Sequence, residues 1–234
     1  MKRQFDPAVP ELMDRPQPVS AELASDLRNL RQLNRYFGSH SLVAHFFRRW
    51  ILPGARLRVL DLATGSGDIP RLAVDHARKV GASVTVDAID QQGSTLEIAR
   101  GLSADYTEIE FIEGNVLSFG ERGYDLVLCS LALHHFSETD AVRLLARCRE
   151  LSSKFVLVSD LQRGPLATVG VYVLTALIFR DPMTRTDGRL SAARAFSFPE
   201  FRLLAERAGW KNFGHGKFAF ARQALWLEPD GIPK

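Results

Sequence analysis

The sequence predicts an α/β fold: a doubly wound, mostly parallel seven-stranded sheet with a C-terminal antiparallel hairpin and a helical N-terminal lid. Three observations predict it. Short apolar runs alternate five times with amphipathic helical stretches between Leu57 and Asp160, the rhythm of strands joined by helical crossovers. A glycine-bearing turn, "TGSGD", separates the first apolar run from the helix after it. Two strand patterns stand next to each other at the C-terminus, close enough to pair only as a hairpin.

Residues 1–20 carry charge and prolines without an apolar core, so they read as a flexible lead-in and as neither a secretory signal nor a membrane anchor. From Ala21 to Ile51 apolar residues recur at three and four, as in two amphipathic helices broken at Gly38 and Ser39, and residues 21–54 are read as the lid. Residues 55–234 form the ligand-binding domain. Its strands are "LRVLDLA", "SVTVDAID", "IEFIEGN", "YDLVLCSLA" and "KFVLVSD". The helices are one opened by Asp68 as N-cap with Pro70 in its first turn, then "STLEIARGL" and "ETDAVRLLARCREL". Residues 161–196 read as a cap insertion on the acceptor side: an apolar helix, Gly164 to Phe179, and an arginine-bearing loop, "RDPMTRTDGRLSAARAF". A helix in "SFPEFRLLAERAG" and the pair "NFGHGKFAFA" and "RQALWLE" close the chain.

Composition narrows the class further. At 234 residues, 46% hydrophobic and 24% charged, the chain can bury one sizeable core. Its two cysteines, Cys129 and Cys148, are too few and too deep in apolar pattern for a disulfide framework or a zinc cluster, which fits a reducing cytoplasm. Gly164 to Phe179 falls short of the ~20 apolar residues that span a bilayer. A net charge of +3 lacks the dense basic tracts of a dedicated nucleic-acid binder.

The glycine turn could hold any of several nucleotides. A dinucleotide fingerprint needs a third glycine, and Pro70 stands where it belongs; a P-loop needs a Lys-Ser/Thr pair, which is absent. Asp61 at the end of the first strand is poor company for a pyrophosphate. An acid there, a close backbone at the turn and Asp90 ending the second strand suit a ligand with an amino group, a ribose and a positive sulfur, which is S-adenosylmethionine.

Through "VLDLATGSGD", "DAIDQQ", "IEGNVLSF", "YDLVLCSLALHHF" and "FVLVSDL", in that order, the chain resembles the class I S-adenosylmethionine-dependent methyltransferases, whose fold is Rossmann-like. "LDLATGSGD" and the helix "LNRYFG…HFFRRWI" are similar to those of the ubiquinone and menaquinone biosynthesis methyltransferases. That resemblance implies that Asp61, Ala63, Thr64, Gly65 and Gly67 border the methionine part of the cofactor. It sets Asp90 and Gln91 on the ribose, and Asn115 with Val116 on the adenine. Ser130 and Arg35 complete the set, Arg35 as partner of the cofactor carboxylate, with Tyr36 and Phe37 stacking over it. Taken singly, Asp61 is equally a structural strand-end acid and Asp90 a helix N-cap.

Methyl transfer asks the protein to align a nucleophile and exclude water, with a base where the acceptor is protonated. His134, His135 and Asp160 follow or end the fourth and fifth strands, where ligand crevices of such sheets lie, and His135 is the expected base. "LHH" also resembles small-molecule O-methyltransferases of natural-product pathways; the bland alternative is a histidine that caps the next helix. The Asn/Asp-Pro-Pro-aromatic element of nucleobase-amine enzymes is absent, as is a Pro-Cys pair, so a base-modifying role is disfavoured. No cluster has metal-ligand spacing, and no catalytic metal is expected.

The expected acceptor is a small phenolic or lipophilic molecule methylated on oxygen. Carbon methylation of a quinone-type ring is the alternative, and a non-catalytic S-adenosylmethionine-binding module the rival of another class. The apolar helix needs covering, by the core, a homodimer contact or a greasy acceptor. Arg180, Arg185, Arg189 and Arg194 read either as solvated surface or as a site for an acidic acceptor or carrier.

Overall fold

The computed structural model describes residues 2–164, 170 and 182–230. The sheet has seven strands in the order β3-β2-β1-β4-β5-β7-β6. They are β1 (Arg56–Leu62), β2 (Ser83–Asp90), β3 (Ile109–Glu113), β4 (Tyr124–Ser130), β5 (Ser152–Leu161), β6 (Gly214–Phe218) and β7 (Arg222–Leu227). β1 to β5 run parallel, while β7 lies antiparallel between β5 and β6, so the expected hairpin extends the sheet. The order reverses at β1 and β4, and the crevice beyond the carboxyl ends of those strands is where such sheets hold ligands.

Successive strand residues face opposite layers, and two cores result. Leu60, Leu62, Val127, Cys129, Val156 and Val158 pack against α5 (Glu138–Leu151) and α7 (Phe198–Arg207). Val59, Leu126, Leu128, Phe155 and Leu157 face α2 (Ser39–Trp50) and α3 (Asp68–Val80). α4 (Gly93–Leu102) crosses from β2 to β3. Both cysteines are buried and free, with burial pushing each thiol up, that of Cys148 to about 12.

α1 (Ala21–Tyr36) begins at Ser20, whose hydroxyl accepts from Leu23 N, and ends before Gly38. Gly38 has φ +91°, and a Cβ there would lie 2.8 Å from the Ala219 carbonyl, so glycine is what lets α1 turn into α2 at this point. α3 is capped by Gly67 (φ 71°) and not by Asp68, which is the first helical residue. That corrects the expected N-cap: the left-handed residue needed to leave the turn is the glycine, and the Asp68 carboxylate is left to bond elsewhere.

A second correction concerns the acceptor side. Within the expected arginine-bearing loop, Pro182–Arg194 form a helix, α6, in spite of Gly188. Tertiary contacts override the weak propensity: Asp187 accepts from Leu12 N at 2.8 Å and Met13 N at 3.0 Å, and Ser191 Oγ donates to Glu11. The same contacts fix the segment read as a flexible lead-in. Arg3 donates to the carbonyls of His134, Phe136 and Arg194, and its guanidinium stacks on Phe196. Most of the expected apolar helix, and Arg180 of the loop after it, lie outside the described residues. Among those described, no helix is long and apolar enough to cross a membrane.

Candidate active site

The ends of β1 and β2 build the first half of the site. β1 delivers Asp61, 2% exposed, and the chain then turns through Ala63 (φ 58°), Gly65 (φ 54°) and Gly67 (φ 71°). Ala63 holds a left-handed conformation that disfavours any residue with a Cβ, and Thr64 N anchors the turn on the Ile89 carbonyl at 2.9 Å. From β2, Asp90 accepts from Gly65 N at 2.9 Å through Oδ2 and from Gln92 N at 3.0 Å through Oδ1. Asp90 thus clamps the glycine turn, and half of its lone-pair sites remain for a ligand.

Three carboxylates converge here with different charge preferences. Burial, aided by Asp68 and Asp90, pushes Asp61 up to about 7. Burial also raises Asp90. Burial opposes the charge on Asp68 too, but His40 Nε2 at 2.8 Å and Asn34 Nδ2 at 3.1 Å outweigh it and hold that carboxyl low. The last pair of contacts also ties α1 and α2 over the turn.

The second half lies past β4 and β5. Leu131 (φ 55°) bends the chain into a short 3-10 helix, Leu133–His135. Asp160, wholly buried, accepts from His134 N at 2.9 Å, from Leu161 N at 2.7 Å and, through Oδ1, from His134 Nδ1 at 2.6 Å. That contact orients the His134 ring on Asp160 through Nδ1, with Nε2 on the opposite side of the ring. Nε2 is buried, has no hydrogen-bond partner among the described residues and lies 3.9 Å from Glu11 Oε1. His135 differs: Nδ1 is paired with Asp14 Oδ2 at 2.8 Å and faces Glu11 at 3.9 Å. Burial pulls its imidazole down, but Glu11, Asp14 and Asp160 together carry it up to about 9.

One cavity of about 590 Å³ joins the two halves, roofed by α1, α6 and the N-terminal segment. Of the residues expected at the site, it is lined by Asp61, Ala63, Thr64, Gly65, Asp90, Gln91, Asn115, Val116, Ser130, His134 and His135. Three expected residues are not on its wall. Asp160 reaches it only through His134. Gly67 packs inward, where a Cβ would meet the Phe111 ring at 2.8 Å. Arg35 is exposed, its guanidinium 5.7 Å from the ring of Tyr36, which is 64% exposed. One helical turn places Arg31 and Asn34 on the cavity side of α1 instead, with Phe37 beyond. Asn115 Oδ1 accepts from Leu117 N at 2.8 Å, so one of its lone pairs serves the local turn.

Sequence reasoning missed Glu11, Asp14 and Arg222, all on the wall. Glu11, His134 and His135 bring metal-ligand-type atoms within 4.8 Å of one another, a grouping no spacing reveals. Ser191 and Arg194 already engage Glu11, and Asp14 engages His135, which ties the group into one polar network. Arg194, read as loop surface, is 3% exposed. Arg185 and Arg189 are half-buried.

The strand order, the glycine turn with acids at the ends of β1 and β2, and the antiparallel β7 define the Rossmann-like fold of the S-adenosylmethionine-dependent methyltransferases. Residues 59–154 match the family described as "Methyltransferase domain". The chain is similar to demethylmenaquinone methyltransferase of Thermotoga maritima, 33% identical over 96 residues, 40% of this chain and 38% of that protein. It is also similar to 2-phytyl-1,4-naphtoquinone methyltransferase of Thermosynechococcus vestitus, 34% identical over 82 residues, 35% of each chain. The matched region thus spans little more than a third of these relatives. An O-methyltransferase family protein from Burkholderia thailandensis shares the fold with TM-score 0.66 and 17% identity, over 88% of this chain and 59% of that one.

Proposed function

We propose that the protein transfers a methyl group from S-adenosylmethionine to a hydroxyl of a small aromatic or lipophilic acceptor. The observation that carries this reading is the His134–Asp160 pair, with His134 on the wall of a cavity that continues from the glycine turn. In the cofactor half, Asp90 offers its remaining lone pairs to the ribose hydroxyls, and Asp61 and Asp90 set negative charge near the ammonium and sulfonium. Bound there, S-adenosylmethionine supplies an electrophilic methyl group.

The chain's own part is to hold the acceptor oxygen, remove its proton and exclude water. His134 Nε2 is the base on this reading, because Asp160 fixes the tautomer and orients the ring. His135, the expected base, is assigned otherwise: at about 9 it is an imidazolium at neutral pH and has no lone pair to offer. It holds Asp14 and Glu11, and with them the N-terminal segment, against the site.

The test uses S-adenosylmethionine with a labelled methyl group, a panel of phenols and naphthols, and product NMR. We expect an aryl methyl ether, with His134→Gln reducing turnover about 100-fold or more at saturating cofactor, the usual worth of a positioned base. Unchanged turnover in that variant removes the base from the mechanism. A carbon-bound methyl group would support the second reading, ring methylation of a quinol, which the likeness to quinone methyltransferases favours.

A further inference from the structure

We propose that Arg222 is the seat of an anionic group on the acceptor, a carboxylate, so that the substrate class is a hydroxylated aromatic acid. This rests on the reading of the cavity as an acceptor site and narrows it. Arg222 opens β7, where the register pairs it with Leu161 at the end of β5, and it lines the cavity while only 8% exposed. Nε donates to Ser39 Oγ at 2.9 Å and Nη1 to the Phe220 carbonyl at 3.3 Å. Of the five N–H donors of a guanidinium these use two. Nη2 has no hydrogen-bond partner among the described residues.

What this arginine lacks is a counter-ion. No carboxylate among the described residues forms an ion pair with it, although a buried charge is ordinarily paired. The comparably buried Arg163 meets Glu200 at 2.8 Å, and Arg194 meets Glu11 at 4.0 Å. Arg71 also has no ion pair, but it is off the cavity wall, bonded to the Ser66 carbonyl and to Ser103 Oγ. Asp160 is close enough to favour the charge on Arg222 but spends its own oxygens on His134 and Leu161. Burial draws the guanidinium down to about 10, which leaves it cationic at neutral pH. An anion arriving in the cavity would complete it.

Position decides which ligand brings the anion. Arg222 sits three strands beyond β1, on the order of 14 Å at the usual strand spacing, with β4 and its His134 in between. A cofactor seated on Asp61 and Asp90 therefore lies on the near side of His134 and the acceptor on the far side. Phe37 and Phe220, edge to face at 5.7 Å, border the far side and suit an aromatic ring.

The test is calorimetric and needs no turnover. A panel of hydroxybenzoates, hydroxycinnamates and hydroxynaphthoates, each with its carboxamide, is titrated into the wild type, Arg222→Gln and Arg222→Lys, with S-adenosylhomocysteine and 5′-methylthioadenosine run alongside. We expect the wild type to prefer at least one acid over its amide by about tenfold or more, the worth of a charged hydrogen bond. Arg222→Gln should erase that preference, Arg222→Lys should restore part of it, and both should bind S-adenosylhomocysteine as the wild type does. No preference for acids in the wild type, or the same preference in Arg222→Gln, overturns the assignment. A loss confined to S-adenosylhomocysteine, with 5′-methylthioadenosine unaffected, would move Arg222 to the cofactor's own carboxylate and equally overturn it. Failure of S-adenosylhomocysteine to bind the wild type would instead defeat the methyltransferase reading.

Discussion

Asp90 clamps the glycine turn and, on the proposed reading, also holds the cofactor ribose, two roles that a double cycle separates. Its oxygens accept from Gly65 N at 2.9 Å and from Gln92 N at 3.0 Å, and on the proposed reading the two remaining lone pairs accept the ribose hydroxyls. Asp90→Ala removes all four interactions. Two hydrogen bonds to a charged acceptor are worth roughly 3 to 6 kcal/mol before losses, and refilling the space with water returns part of that. The expectation is a loss of S-adenosylhomocysteine affinity of about 100-fold or more. Losing the clamp on Gly65 should separately lower stability by on the order of 1 kcal/mol.

The assay is therefore a cycle: calorimetry of wild type and Asp90→Ala with S-adenosylhomocysteine and with its 2′-deoxy analogue. If carboxylate and hydroxyl touch, the two deletions overlap, and the analogue should lose far less in the variant than in the wild type. Additive penalties would refute a direct contact and leave Asp90 as a turn clamp only. An affinity within about threefold of wild type would refute the ribose assignment altogether.

Two further outcomes follow from the titrating groups. Asp61, at about 7, is half-protonated at neutral pH, and a cation bound beside it should drive off about half a proton. Calorimetry at pH 7 in buffers of different ionisation enthalpy should show that release with S-adenosylmethionine and none in Asp61→Asn; a buffer-independent heat in the wild type sinks the idea. For His135, the folded value of about 9 lies above the unfolded ~6.5, so its ion pairs contribute stability that is complete below about pH 6.5 and fades as pH rises toward 9. The wild type should lose up to about 3 kcal/mol more than His135→Asn across that window in denaturant titrations, and parallel profiles would refute the charged state assigned to His135.

The parallel sheet was legible because helical stretches separate β1 from β2, β2 from β3 and β4 from β5, only β3 and β4 being joined without a helix, and the glycine turn announces its own position. Asp61, Asp90 and the His134–Asp160 pair could be found because each stands at a strand end, where topology fixes the direction of the side chain. Glu11, Asp14 and Arg222 could not. They reach the cavity through contacts more than a hundred residues apart in sequence, Glu11 with Ser191 among them, and an acid in a proline-rich leader looks like any solvated acid. The Arg35 placement failed for a smaller reason: a helix turns 100° per residue, and without a partner in view the charged side of α1 could not be told from the cavity side. α6 failed because its sequence is a poor helix former and its support is tertiary.

The choice between the two histidines is a matter of charge balance as well as geometry. Their rings lie 4.2 Å apart, and adding a proton to His134 beside an imidazolium would be uphill in isolation. Each ring has a carboxylate of its own to offset that: Asp160 faces His134, and Asp14 with Glu11 faces His135. His135, carried up to about 9 by Glu11, Asp14 and Asp160, would first have to lose a proton to act as the base. On the proposed reading the two adjacent histidines divide the work: His135, paired with Asp14, seats the N-terminal segment, and His134, set by Asp160, takes the proton.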